Sequence, residues 1–200
     1  MLRIQQIWRN LIIYDNLVGI SEIARRYFAM NAFDGALTVI GVLMGNLTAR
    51  VEDPRVVVST GLATSVAMGV SGLWGAYLTE SAERTRELDE LSHYTLTNLN
   101  STRIGRASRM AVLIVALVDG LSPAVAALVV LIPFFIVGLL PSITWAYYSS
   151  LVVALLTLYS LGLFLGYISR KNLWLFGLKT LTAGILSILI SLLLRSTAGF

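Results

Sequence analysis

The sequence predicts an all-α, polytopic membrane protein with about five transmembrane helices. Of its 200 residues, 56% are hydrophobic and 13% are charged, and the mean hydropathy of +0.79 lies outside the range of soluble domains. A bilayer core of roughly 30 Å takes about 20 apolar residues in a helix. The sequence holds five such stretches, and their apolar residues are continuous rather than alternating, which favours helices over a β-barrel.

The five apolar stretches are, in chain order, residues 28–48, 56–79, a segment within 110–140, 143–168 and 173–194. The third is long for a single span, and Asp119, Gly120 and Pro123 interrupt it. Proline removes a backbone hydrogen bond and kinks or restarts a helix. Residues 110–118 therefore form either a separate interfacial helix or the start of one long kinked helix.

Basic residues predict the orientation of the chain. With the N-terminus placed in the cytoplasm, eleven basic residues fall in inside segments and three in outside segments, while Lys179 falls within the fifth span. The inside set is Arg3, Arg9, Arg25, Arg26, Arg84, Arg86, Arg103, Arg106, Arg109, Arg170 and Lys171; the outside set is Arg50, Arg55 and Arg195. This asymmetry predicts an N-in, C-out topology. The net charge of +4 is explained by basic residues that lie near anionic lipid, so it does not require a nucleic-acid partner.

Residues 1–26 are predicted to form an amphipathic segment on the inner membrane surface. Ile4, Ile7, Trp8, Leu11 and Ile12 fall at helical spacing, which is typical of an interfacial helix. A simple extension of the helical bundle is the alternative. No cleavable signal or organelle-targeting segment is visible, so we expect the cell membrane of a prokaryote rather than an organelle membrane.

Most of the polar connecting sequence lies in one segment, residues 80–109, which carries five of the eleven acidic residues. We expect it to form a cytoplasmic, acidic, helical insert between a first helix pair (28–79) and a three-helix membrane region (110–195).

Three ionisable residues, Asp34, Asp119 and Lys179, lie at or near hydrocarbon depth. Such a charge costs on the order of 2.5–3.5 kcal/mol on insertion scales, so it normally faces a cavity, a partner or a pathway. Asp34 belongs to a polar face of the first helix, whose members recur at steps of three and four: Met30, Asp34, Thr38, Gly41, Gly45 and Thr48. The opposite face is predicted to meet lipid and holds Ala36, Val39, Ile40, Leu43 and Leu47. The roles of Asp119 and Lys179 stay open. Either the two side chains pair with each other, or the Lys179 side chain extends to the membrane interface.

The second helix carries a stripe of small residues and, beyond the span, a row of carboxylates. The row is Glu80, Glu83, Glu87 and Glu90, provided that the helix continues unbroken. Hard oxygen ligands together with a methionine thioether suit Fe²⁺ or Mn²⁺ better than Mg²⁺ or Ca²⁺. The alternatives are a plain helix-packing face and a solvated acidic face.

The segment 31–45 resembles the first-helix signature of the vacuolar iron transporter family, in which an Asp-Gly pair is followed by Met-Gly. Asp34-Gly35 and Met44-Gly45 match that signature. The segment 68–83 is similar to the family's second helix, which runs on into a cytoplasmic acidic region.

The resemblance implies a dimer of five-helix protomers that exports Fe²⁺, and often Mn²⁺, from the cytoplasm in exchange for protons. By motif match, Asp34, Met44 and Met68 are implied as pathway residues, with Met30 and Thr38 on the Asp34 face. The implied metal ligands are Asp34 and the four glutamates. The metal ion is the transported substrate, and no permanent cofactor is expected. Where family members have a glutamate late in the second helix, this chain has Ala76, which leaves proton coupling open.

A second hypothesis is a non-transporting membrane scaffold. The small-residue stripes would then be helix seams, and the acidic row would dock a soluble partner. An enzyme is not expected, since neither HExxH nor GxSxG is present. Within the transporter class, the runner-up is a Mn²⁺ exporter.

Overall fold

The computed structural model describes residues 12–198 as an all-helical chain. The five long helices are α1 (Ile20–Thr48), α2 (Pro54–Thr95), α3 (Arg103–Phe135), α4 (Ile143–Ile168) and α5 (Leu173–Ala198), with a short 3₁₀ helix at Val137–Leu139. Within the described residues, these five helices are long and apolar enough to cross a membrane. The predicted fold class, an all-α chain with five candidate spans, is thereby confirmed.

Helix ends depart from the predicted spans where the sequence is polar. α4 begins and ends at the predicted residues, but α1 begins at Ile20 rather than at residue 28. Gly19, with φ of 63°, separates α1 from a helical turn at residues 12–18. Of the apolar positions predicted for the interfacial helix, residues 4, 7, 8 and 11 lie outside the described part of the chain, and the Ile12 side chain is exposed.

The polar segment 80–109 is not an element of its own. Its first part continues α2 to Thr95 without a break, as the periodicity of the acidic row requires, and its last part opens α3 at Arg103. Polar residues extend a helix readily once an apolar span has nucleated it.

α3 is a single helix from Arg103 to Phe135 that contains both Pro123 and Pro133. The alternative of a separate helix over residues 110–118 is therefore wrong. Proline within a membrane helix is tolerated when neighbouring groups satisfy the carbonyl that it leaves without a donor.

The described chain divides into two compact units. The first contains Val70–Leu121 and the described residues up to Phe28. In its core lie Leu88, Ala107, Ala111 and Val115.

The second unit contains Ala29–Gly69 and the described residues from Ser122 onward. Its core includes Val39, Ile40, Leu131 and Leu158, which are at most 1% exposed. Tyr147 packs edge-on against Phe134, with ring centroids 5.0 Å apart, and its hydroxyl donates a hydrogen bond of 2.9 Å to the Val51 carbonyl.

Glycines bring α4 and α5 into close contact in the second unit. A Cβ on Gly162 would lie 2.6 Å from the Gly177 Cα, and a Cβ on Gly166 would lie 2.8 Å from the Leu173 Cα. Small residues stabilise membrane helix pairs in this way, because dispersion forces between closely packed backbones replace the hydrophobic effect that drives folding in water.

Candidate functional site

Asp34 lies at the midpoint of α1, with fourteen residues of helix on either side, and is six residues into the predicted apolar stretch 28–48. Its side chain is on the exposed surface of the protomer. Among the described residues it makes neither a hydrogen bond nor an ion pair. A carboxylate within an apolar span and without a partner is costly, so Asp34 marks the candidate site.

The two faces of α1 are buried in the opposite sense to the prediction. Ala36, Val39, Ile40 and Leu43 are at most 1% exposed, so the face that was expected to meet lipid forms the protein core and that expectation is wrong. The polar face is the outer one, where Met30 is 53% exposed and Asp34, Gly41 and Gly45 are also exposed.

Gly35 explains why Asp34 points outward. A Cβ on Gly35 would lie 2.6 Å from the Cα and 2.7 Å from the carbonyl oxygen of Pro123, so α1 approaches α3 backbone to backbone at this residue. Successive residues of an α-helix are about 100° apart. The inward position of Gly35 therefore turns the neighbouring Asp34 side chain away from α3.

The predicted pathway residues do not form one cluster. Met30, Asp34 and Thr38 follow each other at single helical turns and line about 12 Å of one helix face, with Thr38 half-buried. Met44 is ten residues further on, about 15 Å along the axis at 1.5 Å per residue, and is only 3% exposed. Met68 is half-buried on α2. An ion that passes from Asp34 to Met44 would therefore have to move through several successive binding positions.

The stripe of small residues on α2 packs against α3. A Cβ on Gly61 would lie 2.9 Å from a methyl carbon of Leu131, and one on Gly72 would lie 2.9 Å from Asp119 Oδ2. Ser65 is buried and donates its hydroxyl hydrogen bond back to the Gly61 carbonyl at 2.7 Å. The stripe is thus a helix-packing face, the alternative to a transport path for these small residues.

Three members of the acidic row have arginine partners. Arg84 lies 3.7 Å from Glu80 and 3.1 Å from Glu87, while Arg86 lies 2.9 Å from Glu90. Glu83 is exposed. The described residues contain no group of three or more histidine, cysteine or acidic side chains placed to hold a metal ion. Four carboxylates along one face of a single helix are spread over about 15 Å, so one helix cannot surround an ion.

Sequence reasoning missed how Glu80 is held. The Tyr27 hydroxyl donates a hydrogen bond of 3.0 Å to Glu80 Oε1, across 53 positions of sequence. Arg84, whose side chain is only 11% exposed, contacts Glu80 and Glu87 and also donates a hydrogen bond to the Val18 carbonyl. The spacing of Glu80 and Arg84 indicated their contact, but no local signal points to Tyr27.

The other two intramembrane charges have different surroundings. Asp119 is 6% exposed and faces the α2 backbone at Gly72. Lys179 is exposed, and its Nζ lies 5.3 Å from the centroid of the Phe176 ring, a cation–π geometry. It lies in the second turn of α5, close enough to the helix end for its amine to reach the interface.

Two cavities accompany these residues. One, of about 690 Å³, is lined by α1 from Gly41 onward and by the last turns of α5. The other, of about 320 Å³, is lined by the polar part of α2 and the start of α3, including Arg84, Ser108 and Arg109. Asp34 lines neither of these two cavities.

Fold and site together define a class: an all-α chain with five candidate membrane spans and, within the first, an exposed carboxylate that has no partner among the described residues. The chain is similar to an uncharacterized protein of Methanocaldococcus jannaschii, with 29% identity over 193 residues that cover 95% of each chain. No protein-family model matches the chain, and no solved structure matches it. The similarity spans the whole arrangement of helices and assigns no activity.

Proposed function

We propose that the protein is a transporter of divalent transition metal ions, with Fe²⁺ and Mn²⁺ among its substrates, that exports them from the cytoplasm in exchange for protons. The observation that carries the proposal is Asp34, an exposed carboxylate at the midpoint of a candidate span. A membrane protein keeps such a group when it serves an ion or a proton.

The chemistry of the Asp34 face supports a metal ion as substrate. Met30, Asp34 and Thr38 offer a thioether, a carboxylate and a hydroxyl at successive turns. Desolvation favours the protonated form of a carboxylate, so Asp34 would release a metal ion as it takes up a proton. One residue would then couple the two fluxes, even with alanine at position 76.

We further propose a homodimer in which a second copy covers only the part of α1 around Asp34, at Met30, Asp34 and Thr38. An exposed carboxylate facing hydrocarbon is costly, and a symmetric contact would bring two copies of Asp34 to one cation. The excess of basic residues in the segments assigned to the inside supports an N-in, C-out topology. The archaeal source of the similar protein fits a prokaryotic cell membrane.

The membrane scaffold remains the second candidate, and the arginine pairs of the acidic row favour it. With Glu80, Glu87 and Glu90 engaged by Arg84 and Arg86, that part of α2 resembles a stable charged surface more than a set of free metal ligands. In this function, Asp34 would bind no ion.

Uptake of Fe²⁺ and Mn²⁺ into proteoliposomes with an imposed pH gradient separates the two functions. The native protein, Asp34→Asn and the control Glu22→Gln would be compared; Glu22 is an exposed carboxylate in the first turn of the same helix. We expect native and Glu22→Gln to transport and Asp34→Asn to be inactive while keeping its elution volume. Equal uptake by Asp34→Asn, or none by a well-folded native protein, would overturn the proposal.

A further inference from the structure

The cavity of about 690 Å³ has the composition of a site for an amphiphilic anion. Its length is apolar, with Gly41, Met44, Gly45 and Leu194 among the lining residues, and it carries two guanidinium groups, those of Arg50 and Arg195. Ligand cavities of about 300–1,000 Å³ are typically apolar with a few charged groups that orient the ligand.

The groove is open because glycines line it. A Cβ on Gly41 or on Gly45 would find no atom within 4 Å, so neither glycine is needed for helix packing within the protomer. The missing side chains leave this stretch of α1 open along the cavity.

Both cations belong to helix ends that line the groove. Arg50 lies two residues beyond the end of α1, and Arg195 is in the last turn of α5, so both are at the level where a helix leaves the hydrocarbon. Among the described residues, neither guanidinium forms an ion pair. Two neighbouring cations without a counter-ion attract an anion, and guanidinium binds phosphate oxygens in a bidentate geometry.

The backbone at Arg50 also departs from what helix ends prefer. Val51 N–H bonds the Asn46 carbonyl at 3.0 Å and Arg50 N–H bonds the Leu47 carbonyl at 3.2 Å, which is the Schellman pattern. Arg50 takes the left-handed position of this motif with φ of 55°, where glycine is strongly favoured. The chain thus holds an arginine in the groove at a position that costs backbone energy.

We propose that this groove binds one anionic phospholipid, with an acyl chain along α1 and α5 and the phosphate between Arg50 and Arg195. Basic pockets between membrane helices bind lipid head groups in this way. A second copy of the chain is a poorer occupant, because a two-fold contact at this face would set the same two cations of each copy against each other. The proposal is independent of the transported ion.

The chain offers a matched control for the test. Arg170 has φ of 50° at the end of α4, in the same Schellman pattern, with Lys171 N–H bonded to the Gly166 carbonyl at 3.1 Å. Arg170→Gly and Arg50→Gly therefore relieve the same backbone strain and remove one positive charge each. Only Arg50 lines the groove.

The experiment measures binding of phosphatidylglycerol and phosphatidylcholine to the detergent-purified full chain, by native mass spectrometry and by the shift in Tm. We expect the native protein and Arg170→Gly to bind phosphatidylglycerol and to be stabilised by it. Arg50→Gly and Arg195→Gln should bind it roughly tenfold to a hundredfold more weakly, the effect of one charge-assisted contact. Gly41→Leu, which fills the groove and keeps both charges, should also lose the bound lipid.

Four results would overturn the proposal. Equal binding of phosphatidylcholine would make the groove a site for hydrocarbon alone, and equal stabilisation by inorganic phosphate would make it a site for the free anion. Unchanged phosphatidylglycerol binding by Arg50→Gly and Arg195→Gln would place the lipid elsewhere. An equal loss in Arg170→Gly would reduce the effect to general surface charge.

Discussion

Asp34 on α1 and Glu80 on α2 are carboxylates with opposite surroundings. Glu80 is 13% exposed in its side chain, accepts a hydrogen bond from Tyr27 and lies beside the Arg84 guanidinium. Asp34 is exposed at the centre of its helix and has no such partner among the described residues. A compensated carboxylate stabilises a structure, whereas an uncompensated one is available to a ligand.

The comparison shows that the number of acidic residues is a poor guide to a metal site. The acidic row is the denser cluster in the sequence, yet arginines one helical turn away neutralise most of it. A single acidic residue without a counter-charge is the stronger candidate. Each of the following variants alters one side of this contrast, and they are ordered by the size of the expected effect.

Replacing Arg84 by Met should give the largest loss of stability. It removes the cation that both Glu80 and Glu87 contact, leaving the nearly buried Glu80 charge without its partner. Breaking a buried ion pair costs about 3–5 kcal/mol; with both side chains slightly exposed, we expect about 2–4 kcal/mol. Reversible unfolding in mixed micelles measures the change. If Arg84→Met were neutral, Glu80 would not be a compensated carboxylate.

Gly35→Ala should cost about 1–3 kcal/mol, the typical effect of overpacking. The added Cβ would meet the Pro123 backbone at 2.6 Å, and backbone cannot rotate away. Gly75→Ala is the control, because a Cβ there meets nothing within 4 Å and alanine favours the helix by up to about 1 kcal/mol. The free energy of unfolding of Gly75→Ala should therefore exceed that of Gly35→Ala. The reverse order would mean that α1 is not held by α3 at Gly35.

Tyr27→Phe should cost about 1–2 kcal/mol, toward the lower end of the roughly 1.5–3 kcal/mol of a hydrogen bond to a charged group, because this hydrogen bond is only partly buried. The ring stays, and the hydroxyl that donates to Glu80 is removed. In the Glu80→Gln background the same change should cost less, because the charged acceptor is gone. A double-mutant cycle measures the coupling. Additive effects would show that the two side chains do not interact.

Glu90→Gln should have no measurable effect on unfolding. Glu90 and Arg86 are both more than half exposed, and exposed pairs within a helix contribute little. The Glu90→Gln variant and the native protein should be equally stable both with and without added salt. A clear destabilisation would show that the Arg86–Glu90 pair is shielded from water more than its exposure in the structure implies.

Length and hydropathy sufficed to predict five helices, including both ends of α4, because membrane spans are defined by apolar length. They did not predict that α1 begins at Ile20, since a helix continues past the hydrocarbon without an apolar signal. The continuation of α2 through the acidic row was predicted from the helical spacing of the glutamates instead. Periodicity separated the two faces of α1 but assigned the wrong one to lipid. In a membrane protein, core and lipid are equally apolar, so apolar character cannot show which face is buried.

Asp34 was predicted as a site residue, because a charge within an apolar stretch is visible in any sequence. The partners of Glu80 were not, since Tyr27 lies 53 positions away. The groove at Arg50 was also missed. Its glycines resemble an ordinary packing stripe in sequence, and only the coordinates show that nothing packs against Gly41 and Gly45.

The measurement that tests the central claim most directly is proton flux driven by metal. Native, Asp34→Asn and Glu22→Gln proteoliposomes, loaded with a pH-sensitive dye and without an imposed pH gradient, would receive Mn²⁺ outside. If Asp34 exchanges metal for protons, the lumen should become alkaline in the native and Glu22→Gln vesicles as protons leave, and not in Asp34→Asn vesicles. An equal pH change with Asp34→Asn, or Mn²⁺ uptake by the native protein with no pH change, would contradict that role for Asp34.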